Sequence, residues 1–220
     1  MCKSNYICDR ILINKRSIMK VLLLSGSPRM GGNSYIALKE VGNELERNGV
    51  EYQIIEIGNK PVRGCIACGK CAELGRCTFD DELYNKVYKA VKESDAFVVA
   101  SPVYYGGPNG SLCALLDRLF FSASKYLSYK PAASVVVCRR GGASSAFERL
   151  NQYYLMSNML VVGSQYWNSV HGCAAGEAAE DKEGLQTMRT LARNLVWTLN
   201  SIQNSELPYK EPRIATNFIR

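Results

Sequence analysis

Residues 21–34 read VLLLSGSPRMGGNS, an apolar strand that runs through a loop of hydroxyls, glycines and one arginine into the start of a helix. A helix N-terminus offers unpaired N–H groups and the positive end of a dipole, and glycines let the backbone approach an anion closely. This junction therefore predicts a phosphate-binding loop. The alternative is a strand–helix turn that merely carries small residues.

The residues of this loop indicate which phosphate it suits. Gly26 and Gly31 match the glycine spacing of a nucleoside-triphosphate loop. That loop needs a lysine and a hydroxyl, however, where this chain has Gly32 and Asn33. The dinucleotide pattern G-x-G-x-x-G is absent as well, because Ser27-Pro28 interrupts it. A terminal monophosphate fits better, and its candidate ligands are Ser25, Ser27, Arg29, Asn33 and Ser34.

Apolar strand patterns alternate with helical patterns along the rest of the chain. The predicted strands are residues 21–24, 52–57, 96–100, 134–138 and 160–162, and the predicted helices are residues 34–48, 81–94, 111–122, 144–157 and 177–202. Strands that are almost wholly apolar are typical of a parallel sheet covered on both faces. Five such units predict an α/β fold with a doubly wound parallel sheet.

This α/β unit should span residues 20–204 as one domain, since 220 residues with 47% hydrophobic content suit a single core. Residues 1–19 are predicted to be either a peripheral N-terminal extension or an over-extended gene start with Met19 as the true initiator, and residues 205–220 are predicted to form a tail. The net charge is +7, of which the extension carries +3 and the tail +1. The remaining +3 is too mild to indicate nucleic-acid binding.

Cysteine content and hydropathy indicate where the protein works. The chain has nine cysteines and no recognisable secretory signal, which favours reduced thiols or metal ligation over disulfides. No apolar run approaches the roughly 20 residues of a membrane span. We therefore expect a cytoplasmic protein with neither a membrane nor a nucleic-acid partner.

Two further loops should lie beside the phosphate loop. Residues 101–110 read SPVYYGGPNG and follow the third strand, while residues 139–144 read RRGGAS and follow the fourth. Ligands of doubly wound sheets bind at the carboxyl ends of the strands, where these loops meet. The first of the two offers flat aromatic surface for a planar ring, and the second adds hydrogen-bond donors.

These motifs together resemble the NADPH-dependent FMN reductase family of flavodoxin-like flavoproteins over about residues 20–203. The resemblance is carried by Ser25-Gly26-Ser27-Pro28-Arg29, by Gly32-Asn33-Ser34 and by Ser101-Pro102-Val103-Tyr104-Tyr105-Gly106. It implies a flavodoxin-like sheet of strand order 2-1-3-4-5, bound FMN, NAD(P)H as co-substrate, and a homodimer or homotetramer. In addition to the phosphate ligands, it implies ring contacts from Pro102, Val103, Tyr104, Tyr105, Gly106, Gly107, Arg140, Gly141 and Gly142.

Four cysteines follow the second strand with the spacing Cys65-x2-Cys68-x2-Cys71-x5-Cys77. The first three spacings match a loop that wraps thiolates around an iron–sulfur cubane. The stretch 64–81 also resembles the iron–sulfur flavoprotein branch of the family, which implies a [4Fe–4S] cluster. Zinc bound by four thiolates and a thiol loop without metal remain as alternatives.

The favoured functional hypothesis is an NAD(P)H-dependent reductase. Hydride would pass from nicotinamide to FMN and then to a flavin, quinone, nitroaromatic or protein acceptor. This flavin-borne chemistry needs no protein acid or base, so we predict no catalytic side chain. The alternatives are an iron–sulfur flavoprotein electron carrier fed by ferredoxin, without a direct NAD(P)H reaction, and a redox-sensing module.

Three features outside these motifs are predicted to be structural. The single histidine, His171, is expected in a loop without a catalytic role. Asp117 and Arg118 are expected as a pair on a helix surface or an interface. Cys113 and Cys138 lie in apolar patterns and are expected in the core.

Overall fold

A computed structural model describes residues 18–203, 205–212, 214 and 216. Except for Ile18 and Met19, the predicted N-terminal extension lies outside the described residues. Residues 205–212 of the predicted tail form neither helix nor strand.

The elements alternate between strand and helix as the sequence pattern predicts. The strands are β1 (Lys20–Ser25), β2 (Glu51–Glu56), β3 (Ala96–Tyr104), β4 (Gly107–Pro108), β5 (Pro131–Cys138), β6 (Leu160–Val161) and β7 (Ser169–His171). The helices are α1 (Asn33–Arg47), α2 (Cys71–Leu74), α3 (Glu82–Glu93), α4 (Gly110–Leu127), α5 (Ala143–Met156) and α6 (Lys182–Ile202), with a 3₁₀ turn at Glu177–Ala179.

The main sheet has the strand order β2-β1-β3-β5-β6, and its strands are parallel. Leu23 of β1 lies opposite Ile54 of β2 and Val98 of β3. Because β4 is a short antiparallel addition to β3, this order corresponds to the expected 2-1-3-4-5 of five main strands. The predicted doubly wound fold is confirmed.

The strand predicted at residues 160–162 is present as β6, and a further short strand that the sequence did not predict, β7, also lies along β5. β6 pairs with the start of β5 and β7 with its end. Between them, Asn168 completes the sheet edge, because its backbone carbonyl accepts from Val136 N at 3.0 Å and its side-chain amide donates to Ser134 O at 3.1 Å. A polar segment therefore interrupts the apolar strand without leaving β5 unpaired.

Two core layers explain why the central strands are apolar on both faces. Leu22 and Leu24 of β1 pack with α3, α4 and α5, whereas Val21 and Leu23 pack with α1 and α6. Alternate side chains of one strand therefore enter different cores. Neither face of these strands meets solvent, so they lack the alternating polar residues of a sheet with one solvated face.

The bounds of the helices follow their capping residues. Asn109 caps α4 by accepting from Leu112 N, and α4 continues to Leu127 instead of ending at residue 122. The helix predicted at 177–202 is divided, because the Asp181 side chain accepts from Gly184 N and starts α6 after the 3₁₀ turn. Among the described residues, no helix combines the length and apolarity that crossing a membrane requires.

Glu44 joins α1 to α6 although it is buried. Its carboxylate accepts from Arg193 Nε at 2.7 Å and from Arg47 Nη1 at 2.9 Å. Burial by itself would raise the pKa of Glu44, but the two guanidinium groups hold the pKa below its ordinary value of 4.5. The ionised carboxylate is therefore the form that stabilises the packing of the two helices.

The Glu44→Gln variant should lower the free energy of unfolding by about 1–2 kcal/mol at pH 7, because it removes charged hydrogen bonds from a buried site. Since the folded-state pKa lies below the unfolded value, the stabilisation is complete above the unfolded pKa and is lost as the pH falls through the folded one. Urea unfolding of both proteins at pH 7 and at lower pH should show the difference shrinking. The exposed Glu46→Gln serves as the control, and an equal loss in both variants would contradict the prediction.

Candidate functional site

Three loops meet at the carboxyl edge of the sheet. β1, β3 and β5 are parallel neighbours, with Ser25 opposite Ala100 and Ser101 opposite Val136. The loops that leave these strands therefore start at one edge. This arrangement places the three predicted loops side by side.

The phosphate loop begins under tight packing. Gly26 N donates to Ala100 O at 2.7 Å, and a Cβ on Gly26 would lie 2.4 Å from Leu112 Cδ2. Beyond it, Ser27 Oγ accepts from Arg29 N at 3.1 Å and fixes the turn, while the Arg29 side chain is exposed. A side chain larger than hydrogen at position 26 would displace the loop from β3 and α4.

The start of α1 leaves amide groups free for an anion. Its N-cap, Gly32, offers no side-chain cap, and the first-turn N–H groups of a helix have no partner within it. The N–H of Gly31 donates to Glu56 Oε1 at 3.0 Å, so the loop is also fastened to β2. The junction has the uncapped N-terminus that an anion site needs.

The predicted phosphate ligands differ in what their side chains contact. The side-chain amide of Asn33 bonds to the last loop: its nitrogen donates to Ala174 O at 2.8 Å and its oxygen accepts from Gly176 N at 3.0 Å. The group of Asn33 that remains for an anion is its backbone N–H, at the first position of α1. Ser34 is buried, and the buried hydroxyl of Ser25 has no hydrogen-bond partner among the described residues. A buried hydroxyl without a partner costs free energy unless a bound group supplies one.

The second loop is a hairpin that the sequence analysis did not predict. β3 turns back into β4 through Tyr105 and Gly106, whose φ values are +50° and +76°. Positive φ at both central positions is the signature of a tight two-residue hairpin turn. The turn leaves the Tyr105 side chain fully exposed and the Tyr104 side chain partly exposed. Both aromatic rings are therefore available to a ligand at this edge.

The third loop packs against the second. Gly142 has a φ of +84°, and a Cβ there would lie 2.9 Å from Val103 Cγ1 and 3.0 Å from Gly106 Cα. Ser145 Oγ donates to Gly106 O. Arg140 and Gly141 of the same loop are exposed. Because Gly142 has no side chain, the third loop can pack directly against the second, and the two loops form one continuous surface.

The four cysteines of the predicted cluster motif lie together. Cys65, Cys68, Cys71 and Cys77 line one pocket, which Arg118 and Phe121 also line. All four thiols are free, and the first two are exposed. Among the described residues, no three or more His, Cys, Asp or Glu side chains are grouped so that they could hold a metal ion. The thiols therefore share a pocket without converging on one point.

Arg118 is not on the helix surface, which corrects the prediction for the Asp117–Arg118 pair. Its side chain is fully buried under the cysteine loop, residues 63–81. The apolar periodicity of α4 gave no sign of a buried cation at this position. Asp117 instead accepts from Tyr153 OH at 2.5 Å. Asp117 and Arg118 therefore do not act as a pair: one contacts Tyr153 of α5 and the other contacts the cysteine loop.

His171 is the last residue of strand β7, which corrects the prediction of a loop, and it contacts the cap of α6. Its Nδ1 is 3.4 Å from Asp181 Oδ2, and its backbone N–H donates to the same oxygen at 2.6 Å. Burial would raise the pKa of Asp181, but the N–H groups of Gly184 and His171 keep it below its ordinary value. These contacts are those of a helix cap and support a structural role.

Comparisons with known proteins extend over most of the chain. The family described as NADPH-dependent FMN reductase matches residues 19–173. An iron–sulfur flavoprotein of Methanocaldococcus jannaschii is 31% identical over 193 residues, covering 84% of this chain and 100% of that protein. An iron–sulfur flavoprotein of Methanosarcina thermophila is 32% identical over 194 residues, covering 85% and 98%. A solved flavodoxin from the domain Archaea covers 83% of this chain and 99% of its own at 15% identity, with a TM-score of 0.56, which is a likeness of fold.

The Gly142→Ala variant should weaken FMN binding about tenfold or more, because the new methyl group requires a strained φ and separates the second and third loops. Titration of the apoprotein with FMN, followed by quenching of flavin fluorescence, measures the change. Gly141→Ala is the matched control, since a Cβ there meets nothing within 4 Å. Equal affinities of the two variants would contradict the prediction.

Proposed function

Because the chain belongs to the NADPH-dependent FMN reductase family and to its iron–sulfur flavoprotein branch, we propose that it is an electron-transfer flavoprotein. As a member of this family it is an FMN-dependent oxidoreductase. In the proposal, FMN lies at the carboxyl edge of the sheet and a [4Fe–4S] cluster lies in the cysteine pocket. The observation that carries the proposal is the meeting of all four motif cysteines in that pocket.

The first loop would hold the FMN phosphate. The uncapped amides at the start of α1, the exposed Arg29 and the buried, unpartnered hydroxyl of Ser25 form a donor set for a terminal monophosphate. Ser27 orders the turn, and Asn33 ties it to the loop at residues 174–178. The backbone donors of the loop are thus fixed before the anion arrives, which lowers the entropy cost of binding.

The second and third loops would receive the flavin ring. The hairpin presents residues 102–107, with two exposed tyrosines, and its contact with Gly142 brings residues 140–142 alongside. These residues orient the ring and leave one side of the edge open to a reaction partner. No side chain there needs to move a proton, since the reactive atoms belong to the flavin.

The cysteine motif favours an iron–sulfur cluster over zinc. The spacing Cys65-x2-Cys68-x2-Cys71 matches a loop that wraps thiolates around a cubane, whereas structural zinc sites more often pair two Cys-x2-Cys units. The four thiols also line one pocket. Cys65, Cys68, Cys71 and Cys77 would be the ligands. When bound, a cluster transfers single electrons and FMN transfers one or two, so the pair can connect one-electron with two-electron reactions.

Direct reduction by NAD(P)H is the second candidate, and the family match favours it. The exposed Arg139 and Arg140 at the open edge would attract the phosphates of a dinucleotide. A reduced ferredoxin is the alternative donor. We also expect a cytoplasmic homodimer or homotetramer that passes electrons to a small-molecule or protein acceptor.

Anaerobically purified protein should contain about four iron atoms and four acid-labile sulfides per chain. The Cys77→Ser variant should lose most of both, because a cubane needs its full ligand set, while Cys173→Ser should retain them. Cys173 is the matched control because it is exposed and does not line the pocket. Zinc without sulfide, or no metal in the wild type, would overturn the cluster assignment.

The two electron donors can be separated on the same sample. Without oxygen, reduced ferredoxin should bleach the flavin absorbance rapidly, whereas NADPH and NADH should bleach it slowly. Stopped-flow absorbance at the flavin band measures the three rates. Fast bleaching by either nicotinamide nucleotide would contradict the assignment as a ferredoxin-fed carrier and support an NAD(P)H-dependent reductase.

The Arg29→Gln variant should bind FMN about tenfold more weakly or worse, because a charged donor to the phosphate is lost, and should bind riboflavin as the wild type does. Calorimetric titration with both flavins measures the effect. Lys86→Gln, which removes an exposed cation from α3, is the control. Equal losses for FMN and riboflavin would contradict the assignment of Arg29 to the phosphate.

A further inference from the structure

Arg118 is a charged side chain in the interior of the protein. Its side chain has no exposed surface, and it lines the cysteine pocket from α4. A buried guanidinium is costly unless it is paired and hydrogen-bonded. Its contacts therefore indicate what the fold gains from keeping a cation there.

The guanidinium contacts both ends of the cysteine loop. Nη1 donates to Arg63 O at 3.3 Å, before the first motif cysteine. Nη2 donates to Phe79 O at 3.1 Å and to Asp81 Oδ2 at 2.5 Å, after the last one. Nε lies 3.4 Å from Cys77 Sγ. One side chain thus closes the loop and also donates to a motif sulfur.

The cysteine loop is held unevenly. On its C-terminal side, Tyr84 OH accepts from Cys77 N at 2.9 Å and Tyr88 OH donates to Gly75 O at 2.7 Å. Cys65 and Cys68, on the N-terminal side, are exposed. Cys77 is therefore fixed by its backbone and by its sulfur, whereas the first two cysteines face solvent.

We propose that Arg118 is a positioning residue that orients Cys77 and whose charge raises the reduction potential of a cluster held in the pocket. The inference rests on the proposed function. Reduction adds a negative charge to the cluster, and a buried cation hydrogen-bonded to a ligand sulfur stabilises that charge. If Arg118 only held the loop together, its charge would not alter the reduction potential of the cluster.

Asp81 provides a counter-test of opposite sign. Its Oδ2 pairs with Arg118, while its Oδ1 accepts from Tyr84 N and caps α3. An asparagine can keep the capping oxygen but carries no charge. The Asp81→Asn variant therefore leaves the positive charge of Arg118 uncompensated beside Cys77.

The experiment measures the midpoint potential of the cluster by EPR-monitored redox titration, with iron content and thermal unfolding measured on each protein. Arg118→Gln should shift the potential to more negative values and lower the iron content. Asp81→Asn should shift it to more positive values. Arg118→Lys, which keeps the charge but not the planar fork, should lose iron but retain a potential near that of the wild type. The control is Arg189→Gln, an arginine of α6 that pairs with Glu40 of α1 in the other helix layer, which should change neither quantity.

Each outcome supports or overturns the proposal. Opposite shifts in Arg118→Gln and Asp81→Asn support it, and if Arg118→Gln does not fold, Asp81→Asn and Arg118→Lys decide. Unchanged potentials, or shifts of the same sign, overturn the role of Arg118 while the cluster assignment stands. A wild-type protein without iron and sulfide overturns the proposed function and this inference with it.

Discussion

The parallel pairing of β1 between β2 and β3 is the constraint on which the rest of the structure depends. It aligns the carboxyl ends of the central strands, so loops that are far apart in sequence begin at one edge. It also buries β1 on both faces, since Leu22 and Leu23 enter different core layers. With both faces covered by helices, the open edge at the strand ends is where a ligand can enter.

Each loop of the edge is held by contacts with another element. Gly26 packs under Leu112, Asn33 fastens the start of α1 to residues 174–178, and Gly142 lets the third loop rest on the hairpin. The cysteine loop is likewise held by α4, because Arg118 bonds to both of its ends. The loops at the sheet edge and the four motif thiols are thus positioned by contacts with core elements.

Local chemistry explains which features the sequence predicted well. The stretch 21–34 carries its strand, its glycines and its helix start within a few residues, so this strand–loop–helix unit can be predicted without knowing the neighbours, while its anion site stays a prediction. The cysteine spacing is equally local. The hairpin at Tyr105 was missed because its turn depends on a positive φ at a tyrosine, which composition does not indicate. The second strand along the outer part of β5, β7, was not predicted because the polar Asn168 precedes it. Asn168 completes the sheet edge only through hydrogen bonds to β5, which the local sequence does not reveal.

The sequence by itself determined the alternation of strands and helices and the doubly wound sheet, and it predicted a phosphate loop and a four-cysteine ligand motif. Periodicity and short-range spacing are properties of contiguous residues, so they can be measured from the sequence alone. Only the tertiary structure decided that the motif thiols share a pocket, that the Asn33 amide holds a distant loop, and that Arg118 is buried instead of exposed. Each of these depends on groups tens of residues apart, whose meeting is set by packing across the sheet and not by the local pattern.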